Sequence, residues 1–598
     1  MGFLSFHEIV RKARNAFNRF PITLVWAITG SLIFIGIVNV DPDLLFDEYS
    51  NSLLTFILGI SWLIGTQFFI EQLKNPEKWY GLKLVVVGLL VLFYWHLPDL
   101  GQNDVNPKFY IRFFLYLIAG HVFLFFAPFV LRWNNAAYWN YLKAVCIAIG
   151  RSILFSGVLY LGLVLALVAI KYLFDYDIPG KRYGQLFILC LGVVNTWTYL
   201  SDFPKDILQQ TTIKYNKALE VFVKYILIPL VLLYIVILYA YTLKIVLAWN
   251  LPKGWVSYLV TALALLGFLI QLMINPIQKT LKSWTINHFY PWFYFLLFPL
   301  IVLLFTAIFK RIGDYGITEN RYFVLLIALW ILGITCYLLF SRKKQLKILS
   351  ISLFILAILS SFGFWGAFKV SENSQVNQFK KVFEQVKQNN NLASVEQYGQ
   401  LKSIIDYLAD HRSVSRLDPI VGLSVAEICR DTTEGSKRMY TYNAPKKLLD
   451  SIGIATDPED GMNYAYGDHF NYHTQWNAVH NYPISGYDYF ASINFTKYDK
   501  RPMKIGLFNI YFEQTKHEIR LSKKPNSSGA LVIPIREKLI ALTKQGTNLN
   551  EVDQKELMLE SKNDSLFAKL IFLDLGYSLK KDSLDVNELR AYLFLKQD

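Results

Sequence analysis

Apolar residues gather in eleven runs along the first 368 positions: about 22–40, 52–71, 82–98, 110–131, 152–171, 185–201, 222–247, 255–275, 289–309, 322–340 and 348–368. Each run approaches the roughly 20 residues that carry a helix across a ~30 Å hydrocarbon core. Tryptophans and tyrosines mark many of the ends, among them Trp79, Tyr80, Trp95, Trp133, Trp197, Trp249, Trp255 and Trp284. Such rings favour the headgroup boundary, where one end stays apolar and the other wet. Ahead of the first run, residues 3–20 space Phe3, Phe6, Val10, Ala13, Phe17 and Phe20 by three or four positions, with Arg11, Lys12, Arg14 and Arg19 between them. That pattern predicts a basic amphipathic helix on the membrane surface.

Beyond Phe368 the long runs stop and the pattern shortens. Helical spacing is expected at 369–395, 396–411, 422–431 and 444–453, and a loop at 455–486, where Tyr, Asn and Gly are frequent. From Tyr487 the period falls to two, in YDYFASINF, KIGLFNIYFEQ, HEIRLSK, KLIFLDLGYSL and LRAYLFLK, with one helix in IPIREKLIALTKQG. Helices first and strands later predict an α+β domain with a mainly antiparallel sheet. The expected architecture is thus a polytopic α-helical membrane protein of about eleven spans carrying a C-terminal soluble α+β domain. Its divisions are a basic cytoplasmic segment at 1–21, a transmembrane bundle at 22–368 and an extracytoplasmic domain at 369–598.

Charge adds orientation. Residues 1–366 carry 30 Lys/Arg against 16 Asp/Glu, whereas the remainder carries 30 against 29. Of the net +15, +14 therefore belongs to the apolar part, as expected of loops on the cytoplasmic face. A near-neutral soluble part gives no basic patch for nucleic acid. A cytoplasmic N-terminus puts most of this excess inside, including Arg342, Lys343, Lys344 and Lys347, and an odd span count then leaves the C-terminal domain in the periplasm. Four cysteines, only Cys429 of them in the soluble part, offer neither an internal disulfide there nor a Cys-x-x-Cys zinc pattern.

Three stretches carry a resemblance. They are Asn18-Arg19-Phe20-Pro21 before the first span, the Arg311–Tyr322 connection with its RIGDYGITENRY sequence, and Gly486-Tyr487-Asp488-Tyr489 at the entry to the strands. They resemble the bacterial membrane-protein family catalogued as domain of unknown function 4153. The resemblance implies a polytopic inner-membrane protein with an appended soluble domain, and brings no activity, substrate or catalytic residue with it.

Candidate chemistry is sparse. In the connection at 310–321, Gly313 and Gly316 suit tight turns, Thr318 is a plausible N-cap, and Glu319 suits the first turn of the next helix. Arg311, Asp314, Glu319 and Arg321 are expected to pair with one another or with the soluble domain, making a docking hairpin. His121, mid-span, is expected to face the bundle interior near Asn195 as a proton or ligand group. His469, His473 and His480 beside Asp468 give a weak metal spacing in a polar loop. Asp41, Asp43, Asp47 and Glu48 make an acidic first outside loop, the place where an enzyme transferring a sugar or phospho-group from a lipid carrier would keep its carboxylates; positive-inside bias leaves such loops behind as well. The expected role is non-enzymatic, in envelope transport or assembly, with the lipid bilayer and envelope proteins as partners and no cofactor; the lipid-carrier enzyme is the alternative.

Overall fold

The computed structural model describes the chain apart from residues 1–5, 99–105, 214, 249–254, 276–277, 279–282, 342–344, 432–438, 442, 457–467, 474–481, 497–501, 524–529, 544–547, 550–554, 581–582 and 598. Among the described residues nine helices are long and apolar enough to cross a membrane, from Pro21–Val40 to Glu319–Phe340. Their outward faces stay apolar, as at Leu154, Phe155, Val158, Leu161 and Leu165. That is the surface lipid accepts, and the protein is an integral membrane protein with a helical N-terminal part and a sheet-rich C-terminal part.

Two of the eleven expected spans are not among these nine. The run at 185–201 is helical but irregular, with a π-helical turn at Leu189–Asn195 between Lys181–Ile188 and Thr196–Ser201. The run at 348–368 is broken: a helix of 13 residues, Lys347–Leu359, ends in a turn in which Gly363 takes φ +82° and Ala367 N donates to Ser360 O at 2.8 Å. A new helix, Ala367–Gln388, starts there. Apolar Phe362, Phe364 and Trp365 disguise that turn as span.

Two compact units form, Met1–Gln388 with Gly399–Gly453, and Asn389–Tyr398 with Ile454–Asp598. This division does not follow the change from apolar to polar sequence at 368, because the helices just after it group with the bundle. In the first unit, aromatic side chains fill the core at one end: Phe68 meets Phe20, Tyr141 and Phe203 edge-on at centroid distances of 5.6, 5.6 and 5.0 Å. Edge-to-face pairs of this kind place a positive ring edge on a negative face. Small residues let helices close up. A Cβ on Gly59 would stand 2.4 Å from Trp26 Nε1, which instead donates to Phe56 O at 2.9 Å.

The second unit holds a sheet in the order Tyr489–Thr496, Ser583–Gln597, Leu566–Lys580, Asp468–His473 and Asn548–Leu549, with Met558–Lys562 also on Leu566–Lys580. The larger pairings are antiparallel. A second antiparallel sheet runs Met503–Ile505, Phe508–Glu513, Glu518–Ser522 and Leu531–Pro534. Helix Arg536–Thr543 is fixed from below by Tyr472 and Tyr577, whose hydroxyls donate to Leu542 O and Leu539 O at 2.7 and 2.6 Å. Strand Asp468–His473 lies inside the stretch expected to be loop. Its aromatic Phe470 and Tyr472 alternate with polar positions, a two-residue period masked by its Asn- and His-rich surroundings.

Candidate functional site: a polar clamp on the 315–319 turn

Helix Trp284–Tyr315 has 32 residues and spans about 48 Å at 1.5 Å per residue. It outruns a ~30 Å hydrocarbon core, so its charged last turns continue as helix into the polar zone. The expected loop from Lys310 is therefore helix as far as Tyr315, and Gly313 is helical. The turn is only Gly316–Thr318. Gly316 takes φ +70° and ψ −178°, a region essentially closed to residues with a Cβ. Thr318 is extended but makes no side-chain cap, and Glu319 opens the next helix.

This turn is held by amides rather than by the expected charge pairs. Gln375 Nε2 donates to both Tyr315 O and Ile317 O at 3.0 Å, and Ile317 N donates to Ser374 Oγ at 2.7 Å. Gln378 and Gln400 both donate to Asp314 O, at 3.2 and 2.8 Å. Arg321 turns back onto its own loop, donating to Gly316 O at 2.7 Å with its guanidinium over the Tyr315 ring. Arg311 and the Asp314 side chain are exposed. Backbone carbonyls at a helix C-terminus need donors, and glutamines supply them without bringing a charge to be desolvated.

Glu319 is the exception, a buried carboxylate. Its Oε1 accepts from Tyr407 OH at 2.7 Å and lies 3.3 Å from His411 Nε2, in a geometry that makes no hydrogen bond. Tyr407 and His411 stack at 4.2 Å, and His411 Nδ1 sits 2.7 Å from Tyr407 O. A carbonyl only accepts, so Nδ1 carries the proton there, and a second proton on Nε2 would make the Glu319 contact an ion pair. Burial, then the neighbouring Glu319 charge, pushes the Tyr407 phenol far above its usual range. Tyr407 therefore acts as a neutral donor.

A second buried carboxylate, Glu372, lies alongside. Lys108, at the start of helix Lys108–Phe126, pairs with its Oε1; Arg416 Nη1 meets Oε2 at 3.1 Å; Ser413 Oγ donates to Oε1 at 3.0 Å. Asn106 Nδ2 closes the group on His411 O at 3.0 Å. Burial alone would raise the Glu372 carboxyl, but the Lys108 contact, Ser413 and Arg416 together hold it below the ordinary range. The cluster thus ties one end of a bundle helix to the helix at 367–388 through charge-assisted bonds, the stronger kind, and ties that helix in turn to the segment at 411–416 that follows helix 395–410.

Sequence reading missed Lys108, Glu372, Tyr407, His411 and Arg416. The available signal was Glu372 itself, set one turn before the buried Gln375 and two before Phe379 on the inward face of an amphipathic helix.

The other candidates lie apart. His121 was expected inside the bundle and is instead exposed, its Nδ1 satisfied by Leu117 O at 2.8 Å on its own helix. Helical spacing places a face but not its neighbours, and among the described residues none covers His121. Asn195 Oδ1 accepts from Ser156 Oγ at 3.3 Å, not from His121. In the acidic loop, Asp41 Oδ1 caps Asp43 N at 3.0 Å ahead of the short helix Leu44–Asp47, and Asp41, Asp43 and Glu48 are exposed; the Asp47 side chain lies outside the described residues. His473 Nδ1 contacts Asp574 Oδ1 at 2.7 Å across adjacent strands, with Arg590 on Oδ2 at 3.2 Å. The His469 side chain and all of His480 lie outside the described residues.

Comparison with known proteins agrees with this architecture. The family model described as domain of unknown function (DUF4153) matches residues 57–394, which holds most of the bundle, the 315–319 turn and the helix at 367–388. The uncharacterized protein PM1469 of Pasteurella multocida is similar at 25% identity over 474 residues, 76% of this chain and 72% of that protein. No solved structure matches. With more than half of its length matched, the chain belongs to the family of domain of unknown function 4153.

Proposed function

We propose that this chain is a non-enzymatic inner-membrane protein that works in envelope transport or assembly. Its N-terminus lies in the cytoplasm, and the helices after residue 367 stand in the periplasm, clamped on the outer end of the bundle. The observation that carries the reading is the interlock at 314–319, where three glutamines, one serine and one tyrosine from helices 367–388 and 395–410 bind a single interhelical turn. A platform fixed to the bundle in this way moves with it, which suits coupling between membrane helices and periplasmic partners. The excess of Lys/Arg in the apolar part supports the orientation.

The test is complementation of a deletion strain. Gln375→Ala with Gln400→Ala removes three hydrogen bonds, each contributing about 0.5–1.5 kcal/mol. It is expected to reach the membrane at normal levels and to fail to complement; full complementation would remove the clamp from the function.

The lipid-carrier enzyme remains the second reading, and the acidic loop discriminates. Asp41→Asn, Asp43→Asn, Asp47→Asn and Glu48→Gln are each expected to complement fully. One such change abolishing function at normal membrane level would favour the enzyme.

A further inference from the structure

A cavity of about 630 Å³ opens at the end of the bundle formed by the start of helix Pro21–Val40 and the end of helix Ser50–Glu71. Its volume falls within the ~300–1,000 Å³ usual for small-molecule sites. Asn18, Arg19, Glu71, Arg132, Lys205 and Asp206 line it. The charges are not equivalent. Arg19 is committed to the wall: its guanidinium grips Glu71 at 2.9 and 2.7 Å and donates to Pro204 O at 2.9 Å. Arg132 and Lys205 are exposed at the rim, as is Asp206.

The rim is built rather than loose. Arg19 on Pro204 O, Gln210 Nε2 on Lys205 O at 2.7 Å and Asn140 Nδ2 on Gln210 O at 2.7 Å hold the 204–210 segment from both ends. Asp206 adopts φ +51°, a left-handed conformation uncommon for residues other than glycine, asparagine and aspartate. Two exposed cations beside the Asn18 amide, in a preformed cavity at the end of membrane-crossing helices, match the needs of a phosphate anion. Arginine offers it a planar fork and lysine a point charge.

We propose that this cavity binds a phosphate-bearing anion, supplied either by the headgroup of an anionic phospholipid or by free phosphate. Arg132 and Lys205 hold the charge, the Arg19–Glu71 pair acts as a fixed wall, and Asp206 limits affinity by repulsion. A position at the ends of apolar helices favours the lipid, whose acyl chains would continue along their outward faces.

The experiment uses the purified full-length chain in detergent and reads its melting temperature against added phosphatidylglycerol, phosphatidylcholine and inorganic phosphate. Phosphatidylglycerol is expected to raise the melting temperature saturably, and phosphatidylcholine to leave it unchanged. Arg132→Gln with Lys205→Gln should weaken the response about tenfold or more, the loss of at least one charge-assisted contact. Asp206→Asn keeps a residue that tolerates the left-handed backbone and should strengthen it, a gain that misfolding cannot mimic. A response to inorganic phosphate of equal size, lost in the same double variant, would make free phosphate the source. No response to either anion, or one unchanged by both variants, overturns the proposal.

Discussion

Glu372→Ala is expected to loosen the helices at 367–388 and 395–410 from the bundle at a cost of about 2–4 kcal/mol, below the upper end for a buried pair because Lys108 and Arg416 retain some contact with water. The alanine leaves two cations facing each other across a site built around a carboxylate. Limited proteolysis between residues 389 and 394 and chemical denaturation of the detergent-solubilised protein would both register the change. A variant within ~0.5 kcal/mol of the native protein would contradict the assigned role, since that is the scale of a surface substitution. The pH dependence has a fixed sign. The folded carboxyl sits below its ordinary range, so its stabilisation is present above the unfolded value, about 4.3, and is lost as pH falls through the folded value. The gap between native protein and Glu372→Gln should therefore be constant near neutrality and close only in strong acid.

Gly316→Ala is the second large effect. The φ +70°, ψ −178° conformation costs an alanine about 1–3 kcal/mol. The new Cβ would also stand 3.0 Å from Gln375 Nε2 and 3.2 Å from Ser374 Oγ, two of the side chains that bind the turn. Strain and lost hydrogen bonds act together here. Gly313→Ala, three residues earlier, is the control: it is helical with open space around its Cβ and should be neutral or stabilising by up to about 1 kcal/mol. Equal losses at both positions, measured by denaturation, would mean that the turn geometry is not what matters.

The spans were legible because a run of some twenty apolar residues has few alternatives in water. Boundaries were less so. Lys310–Tyr315 reads as loop by its charges, yet a helix already nucleated continues at little cost, and it stops only where Gly316 changes the backbone. At 360–366 the reverse held, since Phe and Trp kept the run apolar through a turn marked by Gly363 and Gly366. The alternating strands from Tyr489 onward were plain, whereas Asp468–His473 was hidden in a polar stretch.

The site was legible only in its turn. Gly316 and Glu319 announce themselves locally, but Lys108 and Glu372 are 264 positions apart, and no periodicity links them. The side chains expected to dock, Arg311 and Asp314, are exposed instead, because backbone carbonyls already satisfy the partner glutamines. His121 shows the same limit from the other side: costly at mid-span by residue type, it is satisfied by one carbonyl of its own helix.

The orientation of the clamped helices is the claim on which the proposed function stands. Reporter fusions of an enzyme active only outside the cytoplasm, placed after Gln345 and after Lys369, test it most directly. We expect the fusion after Lys369 to be active and the one after Gln345 to be silent. Silence after Lys369, with the fusion protein present at normal membrane levels, would place the clamp in the cytoplasm and contradict a periplasmic role.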